Sequence, residues 1–587
     1  MNMTRLAILV VLTCACGAMH ALAQTGPAGN AHPTPQTPDS MGSPNPFGEG
    51  ASPDQSTPQE KHAFASSVNV APLRDAAVSH NGRIKILDTL ARETIRTIAG
   101  RADYIDYVPE FDEDGRVSGV TKLHYDPLFT YLDLLASPSY YFDKPLVHVA
   151  YLPTRRALIE VTVEDPSMQE RWMKLTRLSP AMLNQGFRTV AETRGVDQDI
   201  ARSLGQLDAA ADLLRFGHNN LLLMAPTNAS GAWRLVSSLP QSSPIRQRFE
   251  ALGAAWRDGD AEQVNALIAE IAVALETENG EASSAGRRSI EAMYNKARPF
   301  EFGAWLYLVA FVSLLLAFGT QWKAMYAIGL GALVGAVLAH SLGFAARWVI
   351  AERLPIQNQF ESMTGLALGG ALVGLTIMVT KRQWLFGAAA AAVGFLILLA
   401  ATQTGVPGAS IGREAAILNT SWLLKYHVST VLVSYGLITL GAVMSTFYLV
   451  LHYFGGRSTS STDGLAAFTT EGLNLESGAA AGRARLLNDL DRAQMTVLQL
   501  AFWTLAVGIL LGAWWADHSW GRWWAFDPKE TWALLTWIVY LIVIHLRFAT
   551  SGNRGLVTAW LSVAGFIVML WTYFGVNLLL PGLHAYA

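Results

Sequence analysis

The chain has 587 residues, of which 51% are hydrophobic and 15% are charged, and its formal net charge is −3. Soluble proteins average about 25% charged residues, so this composition predicts that part of the chain lies in a lipid bilayer. The balance of charge excludes nucleic acid as a partner, because a nucleic-acid-binding protein presents a basic face to the phosphates.

The N-terminal segment, residues 1–23, has the pattern of a secretory signal peptide or signal anchor. Arg5 precedes a long apolar run, which ends in small residues typical of a cleavage site. Either form directs the following segment to the outer side of a membrane. Both cysteines, Cys14 and Cys16, lie in this segment, so a cleaved chain would have no thiol for disulfide or redox chemistry.

Two regions with different compositions follow the signal segment. Residues 24–60 are rich in Pro, Gly, Ser, Thr and Gln, which predicts a disordered linker. Residues 61–299 lack long apolar runs and contain stretches with apolar residues at helical spacing, for example 262–275. We expect these residues to form an extracytoplasmic, mainly helical domain, in which no catalytic pattern is evident.

Residues 300–587 contain repeated apolar runs long enough to span a membrane. The chain is therefore predicted to be an all-α polytopic membrane protein, with about eight transmembrane helices after the soluble domain. An excess of Lys and Arg in the predicted inner loops orients the soluble domain toward the periplasm of a bacterial cytoplasmic (inner) membrane. The predicted spans are about residues 302–319, 325–345, 363–380, 384–402, 428–453, 496–513, 531–547 and 556–579.

Seven of the 18 tryptophans lie between Trp514 and Trp537, in and around a predicted outer loop. Membrane interfaces favour tryptophan, which explains scattered examples but not this density. A flat aromatic surface suits a large planar ligand such as haem b, whose propionates would seek a cation such as Arg522 or Lys529. Lys529 could instead pair with Glu530 at the start of a helix. The candidate cofactor-binding residues are Trp514, Trp515, Trp520, Trp523, Trp524, Phe526, Asp527 and Trp532.

Three histidines are candidate ligands of the haem iron, because imidazole is a common axial ligand. His427 begins the fifth predicted span and His584 follows the eighth, so both lie at the outer face and could ligate one haem together. His545 lies about 14 residues inside the seventh span, or about 21 Å deep at 1.5 Å per residue. An ionisable residue at that depth indicates a functional site, and a structural imidazole beside Arg547 is the alternative. His340 fits such a structural role.

The segment WGRWWAFDPKETWAL, residues 520–534, resembles the outer-loop signature, or WWD domain, of the CcsA/ResC family of System II cytochrome c biogenesis proteins. Trp523 and Phe526 keep an aromatic ring where Tyr and Trp are usual in that family. Two further segments add to the resemblance, which covers about residues 300–587. They are RLPIQNQFES at 353–362 and FGVNLLLPGLHAY at 574–586.

The resemblance implies that His427 and His584 ligate haem at the outer face and that His545 belongs to an inner, transmembrane haem site. It further implies a separate ResB/CcsB-type membrane subunit as partner and apocytochrome c, with its CxxCH motif, as the acceptor. The chain would then be a subunit of a holocytochrome c synthase (haem lyase) that transports or receives haem and positions it for thioether attachment. The implied role requires no catalytic residue from this chain.

Three other functions are consistent with the same residues. A CcmC/CcmF-like protein handles and delivers haem without ligation chemistry, and it shares a tryptophan-rich loop between outer histidines. A membrane transporter for a different apolar solute would use the histidines structurally. An integral electron-transfer cytochrome would need histidine pairs inside the helix bundle, whereas His545 is the one deep histidine evident in the sequence.

Overall fold

A computed structural model describes most of the chain, and it divides the described residues into two compact units at Lys296 and Ala297. The predicted signal segment and His584 lie outside the described residues. The described residues are 44–48, 53–111, 117–195, 197–226, 231–280, 282–320, 322–381, 384–413, 421–454, 470–549, 552–580 and 582.

The N-terminal unit is mainly helical, and three two-stranded antiparallel sheets accompany its helices among the described residues. Its helices are α1 (Pro58–Ser67), α2 (Leu87–Ala99), α3 (Pro127–Ala136), α4 (Leu152–Thr162), α5 (Pro166–Met173), α6 (Pro180–Arg194), α7 (Gln198–Phe216), α8 (Pro244–Arg257), α9 (Ala261–Asn279) and α10 (Ala285–Ala297). The strand pairs are β1 (Ala77–His80) with β2 (Arg83–Ile86), β3 (Tyr104–Phe111) with β4 (Val117–Tyr125), and β5 (Val147–His148) with β6 (Arg177–Leu178).

A tight hairpin organises the start of this unit. Asn81 and Gly82 have φ angles of 50° and 74°, the left-handed conformation of a two-residue turn, and they join β1 to β2. Directly after the turn, the guanidinium of Arg83 donates to both carboxylate oxygens of Glu291 in α10, at 2.8 and 3.0 Å. The apolar face of α2 is buried in the core beyond the hairpin. These residues therefore hold the N-terminal unit together.

The predicted linker, residues 24–60, differs from the structure near its C-terminal end. Phe47 is fully buried in the core, and the guanidinium of Arg257 donates to its carbonyl oxygen at 3.0 Å. Asp54 forms an ion pair with the buried ammonium group of Lys61 at 2.7 Å. The described residues of this stretch thus pack into the N-terminal unit, because its few apolar and charged side chains find partners there.

The C-terminal unit confirms the predicted polytopic membrane fold. Among the described residues, eight helices are long and apolar enough to cross a membrane. They are α11 (Pro299–Thr320), α12 (Lys323–Ala351), α13 (Gln359–Lys381), α14 (Trp384–Gln403), α15 (Trp422–Phe454), α16 (Thr470–Trp520), α17 (Pro528–Ala549) and α18 (Arg554–Leu570). A π-helical turn, Trp571–Gly575, extends α18 and is followed by the short α19 (Val576–Leu579).

Small residues let the membrane helices approach closely. A Cβ added at Gly394 in α14 would lie 2.7 Å from the ring of Tyr307 in α11, and one added at Gly374 in α13 would lie 2.6 Å from Cβ of Ala390. Close approach of backbones favours van der Waals packing and interhelical hydrogen bonds where lipid supplies little hydrophobic driving force. One such bond joins α15 to α16, where the hydroxyl of Ser434 donates to the carbonyl of Ala501 at 3.1 Å.

Candidate functional site

His427 lies in the first turns of α15, half-buried against α16. Its Nδ1 atom is 2.8 Å from the carbonyl oxygen of Gly508. Because a carbonyl oxygen only accepts hydrogen bonds, Nδ1 is the donor in this contact, and the neutral ring then has its lone pair on Nε2. Metal-binding imidazoles are commonly oriented in this way, with one nitrogen donating to a backbone carbonyl and the other facing the metal. In its neutral form the ring therefore has the tautomer found in such ligands.

Two glycines one helical turn apart on α16 form the surface on which His427 rests. A Cβ added at Gly512 would lie 2.5 Å from Cε1 of His427, and one added at Gly508 would lie 2.7 Å from Cγ2 of Val431. Carbon atoms in ordinary contact are about 3.5–4.0 Å apart, so a side chain at residue 512 would displace the imidazole. The segment GILLG at 508–512 has the small-xxx-small spacing of close helix packing, a signal for this contact that is visible in the sequence.

The residues DPKE at 527–530 start α17 as a reciprocal helix cap. Asp527 is the N-cap, and its carboxylate accepts the backbone N–H of Lys529 at 3.2 Å, while Pro528 occupies the first helical position. Glu530 reaches back and accepts the backbone N–H groups of Asp527 and Ala525, at 3.3 and 2.9 Å. Glu530 therefore fixes the loop backbone, and it forms no ion pair with Lys529 in the part of the chain that the structure describes.

The aromatic residues of the loop divide into an exposed and a buried group. Trp514, Trp523 and Phe526 are 48%, 56% and 82% exposed, respectively. Trp515 is 2% exposed and lies edge-on to Trp520, with ring centroids 4.9 Å apart. The exposed rings are accessible to a ligand, whereas the buried Trp515 and the partly buried Trp520 support the loop by packing against each other.

The remaining aromatic candidates, Trp524 and Trp532, also contact neighbouring aromatic rings. Trp524 lies edge-on to Phe526, with ring centroids 6.4 Å apart, and Trp532 packs against Trp571 of the π-helical turn at 5.8 Å. Phe526 has a φ angle of 55°, a conformation uncommon for an aromatic residue. The backbone at this position is held by the cap that begins at the next residue.

A cavity of about 190 Å³ lies beside His427. Two cations, Lys425 and Lys529, line it together with the buried Trp515, and no aspartate or glutamate of the described residues does so. The polar and aromatic residues that line the cavity are Gln357, Asn358, Gln359, Ser362, Lys425, His427, Tyr435, Trp515, Lys529, Thr572 and Tyr573. The rest of the lining is aliphatic, so the cavity is mainly apolar and carries a few hydrogen-bonding groups and two positive charges.

A buried charge network holds the wall of the cavity that precedes α13. The carboxylate of Glu361 accepts from Arg347 at 2.9 Å and from Arg353 at 2.7 Å, and all three side chains are at most 8% exposed. Asn358 caps α13 by accepting the backbone N–H of Glu361 at 2.9 Å. Gly408 has a φ angle of 87°, and a Cβ there would lie 2.2 Å from the Asn358 side chain. These contacts fix the amide-rich segment at the cavity.

The π-helical turn also lines the cavity. The hydroxyls of Tyr573 and Ser362 are 2.5 Å apart, which joins the turn to α13. The hydroxyls of Thr572 and Thr536 are 2.8 Å apart, which joins it to α17. Single π-helical turns are frequent at functional sites, and here the turn places Thr572 and Tyr573 on the cavity surface.

The other histidines of the membrane unit have different environments. His545 is exposed on α17 and donates from Nδ1 to a carbonyl one turn earlier in its own helix, at 2.8 Å. Nearby, Arg547 forms a bidentate ion pair with Asp491 at 2.5 and 2.6 Å. His340 is fully buried, and its Nε2 lies 3.0 Å from the carbonyl of Thr364, in agreement with a structural role.

The structure brings His427, Trp515 and Lys529 to one cavity, and it places His545 elsewhere, toward the other end of α17. His584 lies outside the described residues. The last described residue is Gly582, where an added Cβ would lie 2.5 Å from Oδ1 of Asp527. The cavity walls at 357–359 and 572–573 were not predicted as site residues, although both belong to or adjoin segments that carry the family resemblance.

Comparison with known proteins gives concordant matches. Residues 356–584 match the family model described as cytochrome C assembly protein. The chain is 30% identical over 291 residues to the cytochrome c biogenesis protein CcsA of Guillardia theta, which covers 47% of this chain and 94% of that protein. It is 34% identical over 292 residues to the protein of the same name from Synechococcus elongatus, covering 45% of this chain and 88% of the relative.

A third relative, CcsA of Microcystis aeruginosa, is 32% identical over 315 residues and is covered to 94% of its length. These relatives are matched over nearly their whole length by about half of this chain. The membrane fold and the predicted resemblance agree with these matches. The chain belongs to the CcsA family of cytochrome c biogenesis proteins.

Proposed function

We propose that this chain binds haem b beside the tryptophan-rich loop and positions it for covalent attachment to apocytochrome c. The orientation of His427 is the observation that carries the proposal. Its hydrogen bond to Gly508 leaves the lone pair on Nε2, the nitrogen that an axial ligand offers to iron. Gly512 makes this orientation possible, because it leaves room for the ring.

The exposed aromatic rings supply the surface for the macrocycle. Trp514, Trp523 and Phe526 are partly or largely exposed on one loop and its preceding helix end, whereas Trp515 is buried. Aromatic rings gain from offset or edge-to-face contact with a second π-system. The cap at Asp527 gives the loop a fixed backbone, so this surface is preformed.

His584 is our proposal for the second outer ligand. The described chain reaches Gly582, which lies against the carboxylate of Asp527 at the start of α17. His584 follows two residues later in the sequence, which supports a location at the same loop. Ligation by His427 and His584 from opposite sides would hold the iron while the porphyrin edge stays accessible.

The attachment reaction needs no nucleophile from this chain. Each acceptor thiol of a CxxCH motif adds across one vinyl group of the haem: a carbon–sulfur bond forms, the vinyl π bond breaks, and the thiol proton ends on the second vinyl carbon. The addition involves no net oxidation or reduction. The contribution of the protein is to hold haem and peptide in reactive geometry, which removes much of the entropic barrier.

His545 is our proposal for an inner haem site. Its ring is exposed on α17, so a haem bound there would contact lipid or another subunit. A ResB/CcsB-type membrane subunit supplies such a surface. We propose that the chain resides in the bacterial cytoplasmic (inner) membrane, with a signal in residues 1–23 and with the N-terminal unit and the tryptophan-rich loop on the periplasmic side.

Reconstitution tests this function. The full chain, co-expressed with a ResB/CcsB-type subunit and a CxxCH acceptor, is expected to yield covalent cytochrome, and His427→Ala or His584→Ala to reduce it strongly. His452→Ala is the control, since this histidine lies near the far end of α15 and stacks on Tyr448, away from the loop. Haem binding without any covalent product from the wild type would favour a CcmC/CcmF-like delivery role, and absence of a Soret band would favour a non-haem transporter.

A further inference from the structure

The cavity beside His427 is too small for a porphyrin. Its volume is about 190 Å³, whereas sites for ordinary small-molecule ligands occupy about 300–1,000 Å³. A haem on the tryptophan-rich loop would therefore place its macrocycle outside the cavity. The cavity has room for a short side arm of that ligand, and its walls indicate which kind of arm it accepts.

Two lysine side chains line this cavity, and no acidic side chain among the described residues lines it with them. Lys425 and Lys529 both line the cavity, and neither forms an ion pair with a carboxylate in the described parts of the chain. The acidic residues nearest in sequence are already engaged, because Asp527 and Glu530 cap the start of α17. The negative charge of Asp527 acts on Lys529 without a direct contact, and the ammonium group of Lys425 lies 4.6 Å from the ring centroid of Trp422. Ionisable residues in membrane segments are costly, and they commonly mark a substrate or ion site.

Lys529 also occupies an electrostatically unfavourable position. It is the second residue of α17, where the helix dipole favours a negative charge and opposes a positive one. Helix stability alone therefore does not account for a lysine at this position. An anion in the cavity would compensate both the lysine and the dipole.

A buried indole donor provides an independent observation. Trp515 lines the cavity and is 2% exposed, and its Nε1–H has no hydrogen-bond partner among the residues that the structure describes. A buried donor left without a partner costs free energy, so such a group usually indicates an unrecorded water or ligand. An acceptor oxygen in the cavity would satisfy it.

We propose that this cavity is a carboxylate-binding subsite and that it takes one propionate of the haem. The inference rests on the proposed haem-binding function and deepens it. Lys529 supplies the charge, Trp515 supplies a neutral donor, and Lys425 adds to the positive potential. With a propionate held here, His427 on the adjoining wall and the exposed rings of the loop would engage the remainder of the same haem.

The test compares haem with haem dimethyl ester, in which both propionates are masked. The purified full-length chain is titrated with each form, and binding is followed through the Soret band. We expect the wild type to bind haem at least tenfold more tightly than the ester, because the ester loses a charge-assisted hydrogen bond. Lys529→Gln is expected to reduce the preference to about twofold or less, and Trp515→Phe to reduce it several-fold while preserving the ring.

Three controls make the result specific. Lys323→Gln removes an exposed lysine at the start of α12 and is expected to keep the full preference. Arg522→Gln removes the other cation near the loop, and a larger loss there than for Lys529→Gln would overturn the assignment. Inorganic phosphate, compared with sodium chloride at equal ionic strength, is expected to weaken binding of haem but not of the ester. Equal weakening of both forms contradicts the subsite.

The two proposals fail in different ways. If His427→Ala binds both haem forms as the wild type does, the proposed haem site is wrong. If His427→Ala no longer binds haem or its ester, but the wild type binds both equally tightly, the proposed haem site is supported and the carboxylate subsite is refuted.

Discussion

Replacing Gly512 by alanine tests how closely the haem ligand is held. The added Cβ would lie 2.5 Å from Cε1, 2.8 Å from Nδ1 and 3.1 Å from Nε2 of His427. Ordinary carbon contacts are about 3.5–4.0 Å, so the ring must move by about 1 Å or more. Overpacking of this kind costs about 1–3 kcal/mol, which corresponds to a loss of haem affinity of about 5–150-fold if the ligand geometry absorbs it.

A titration of the purified full-length chain with haem measures this loss, and the Soret position and the electron paramagnetic resonance spectrum of the ferric form report the axial ligand. Gly441→Ala is the matched control. It lies between the same two helices, and its Cβ would lie 2.8 Å from Cδ2 of Leu498, away from His427. We expect Gly441→Ala to lower thermal stability without changing the spectrum. If Gly512→Ala keeps wild-type affinity and spectrum, the argument that Gly512 positions His427 is refuted.

Three further predictions concern stability, measured by thermal unfolding of the full chain in detergent. Asp527→Ala removes the cap of α17 and is expected to cost about 0.5–2 kcal/mol of stability, whereas Asp527→Asn can still cap the helix and is expected to retain most of it. Equal melting temperatures of the two variants would contradict the capping role. Glu361→Gln leaves the buried Arg347 without a full countercharge and is expected to cost about 3–5 kcal/mol of stability. The control Glu301→Gln, at a more exposed ion pair, is expected to cost less than about 1 kcal/mol. A small loss of stability in both variants would count against the stabilising role of the buried charge network. Burial and two neighbouring cations lower the pKa of His80 to about 4, so between pH 6.5 and pH 4 the unfolded chain binds a proton that the folded chain does not. The stability of the wild type should therefore fall from about pH 6.5 toward pH 4, and that of His80→Gln should fall less steeply. Parallel curves of stability against pH for the two proteins would refute this.

The eight membrane helices could be predicted because lipid requires each span to be a long apolar run. The ends of the helices were less predictable. The helix α15 begins at Trp422, before the predicted start at residue 428, and α16 extends beyond its predicted end at residue 513 to Trp520. These extensions contain polar and aromatic residues that hydropathy does not assign to a span. They matter for function, because His427 and Trp515 lie within them.

The location of the candidate site was predictable from the tryptophan density, whereas the roles of its residues were not. Asp527 was predicted to contact the cofactor, and the structure shows it as a helix cap, for which the DPKE pattern was a signal. The burial of Trp515 and the exposure of Trp523 depend on tertiary packing. The approach of Tyr573 to Ser362, 211 residues apart in sequence, has no local signal.

We propose that His427 ligates haem iron beside the tryptophan-rich loop. The most direct measurement is the haem content per protein of the full-length chain, with the Soret spectrum, in wild type, His427→Ala and His452→Ala purified from the same haem-sufficient cells. We predict that His427→Ala loses most of its haem, or shows a changed axial-ligand spectrum, while His452→Ala matches the wild type. Wild-type haem content and an unchanged spectrum in His427→Ala would show that His427 is not an axial ligand of the haem.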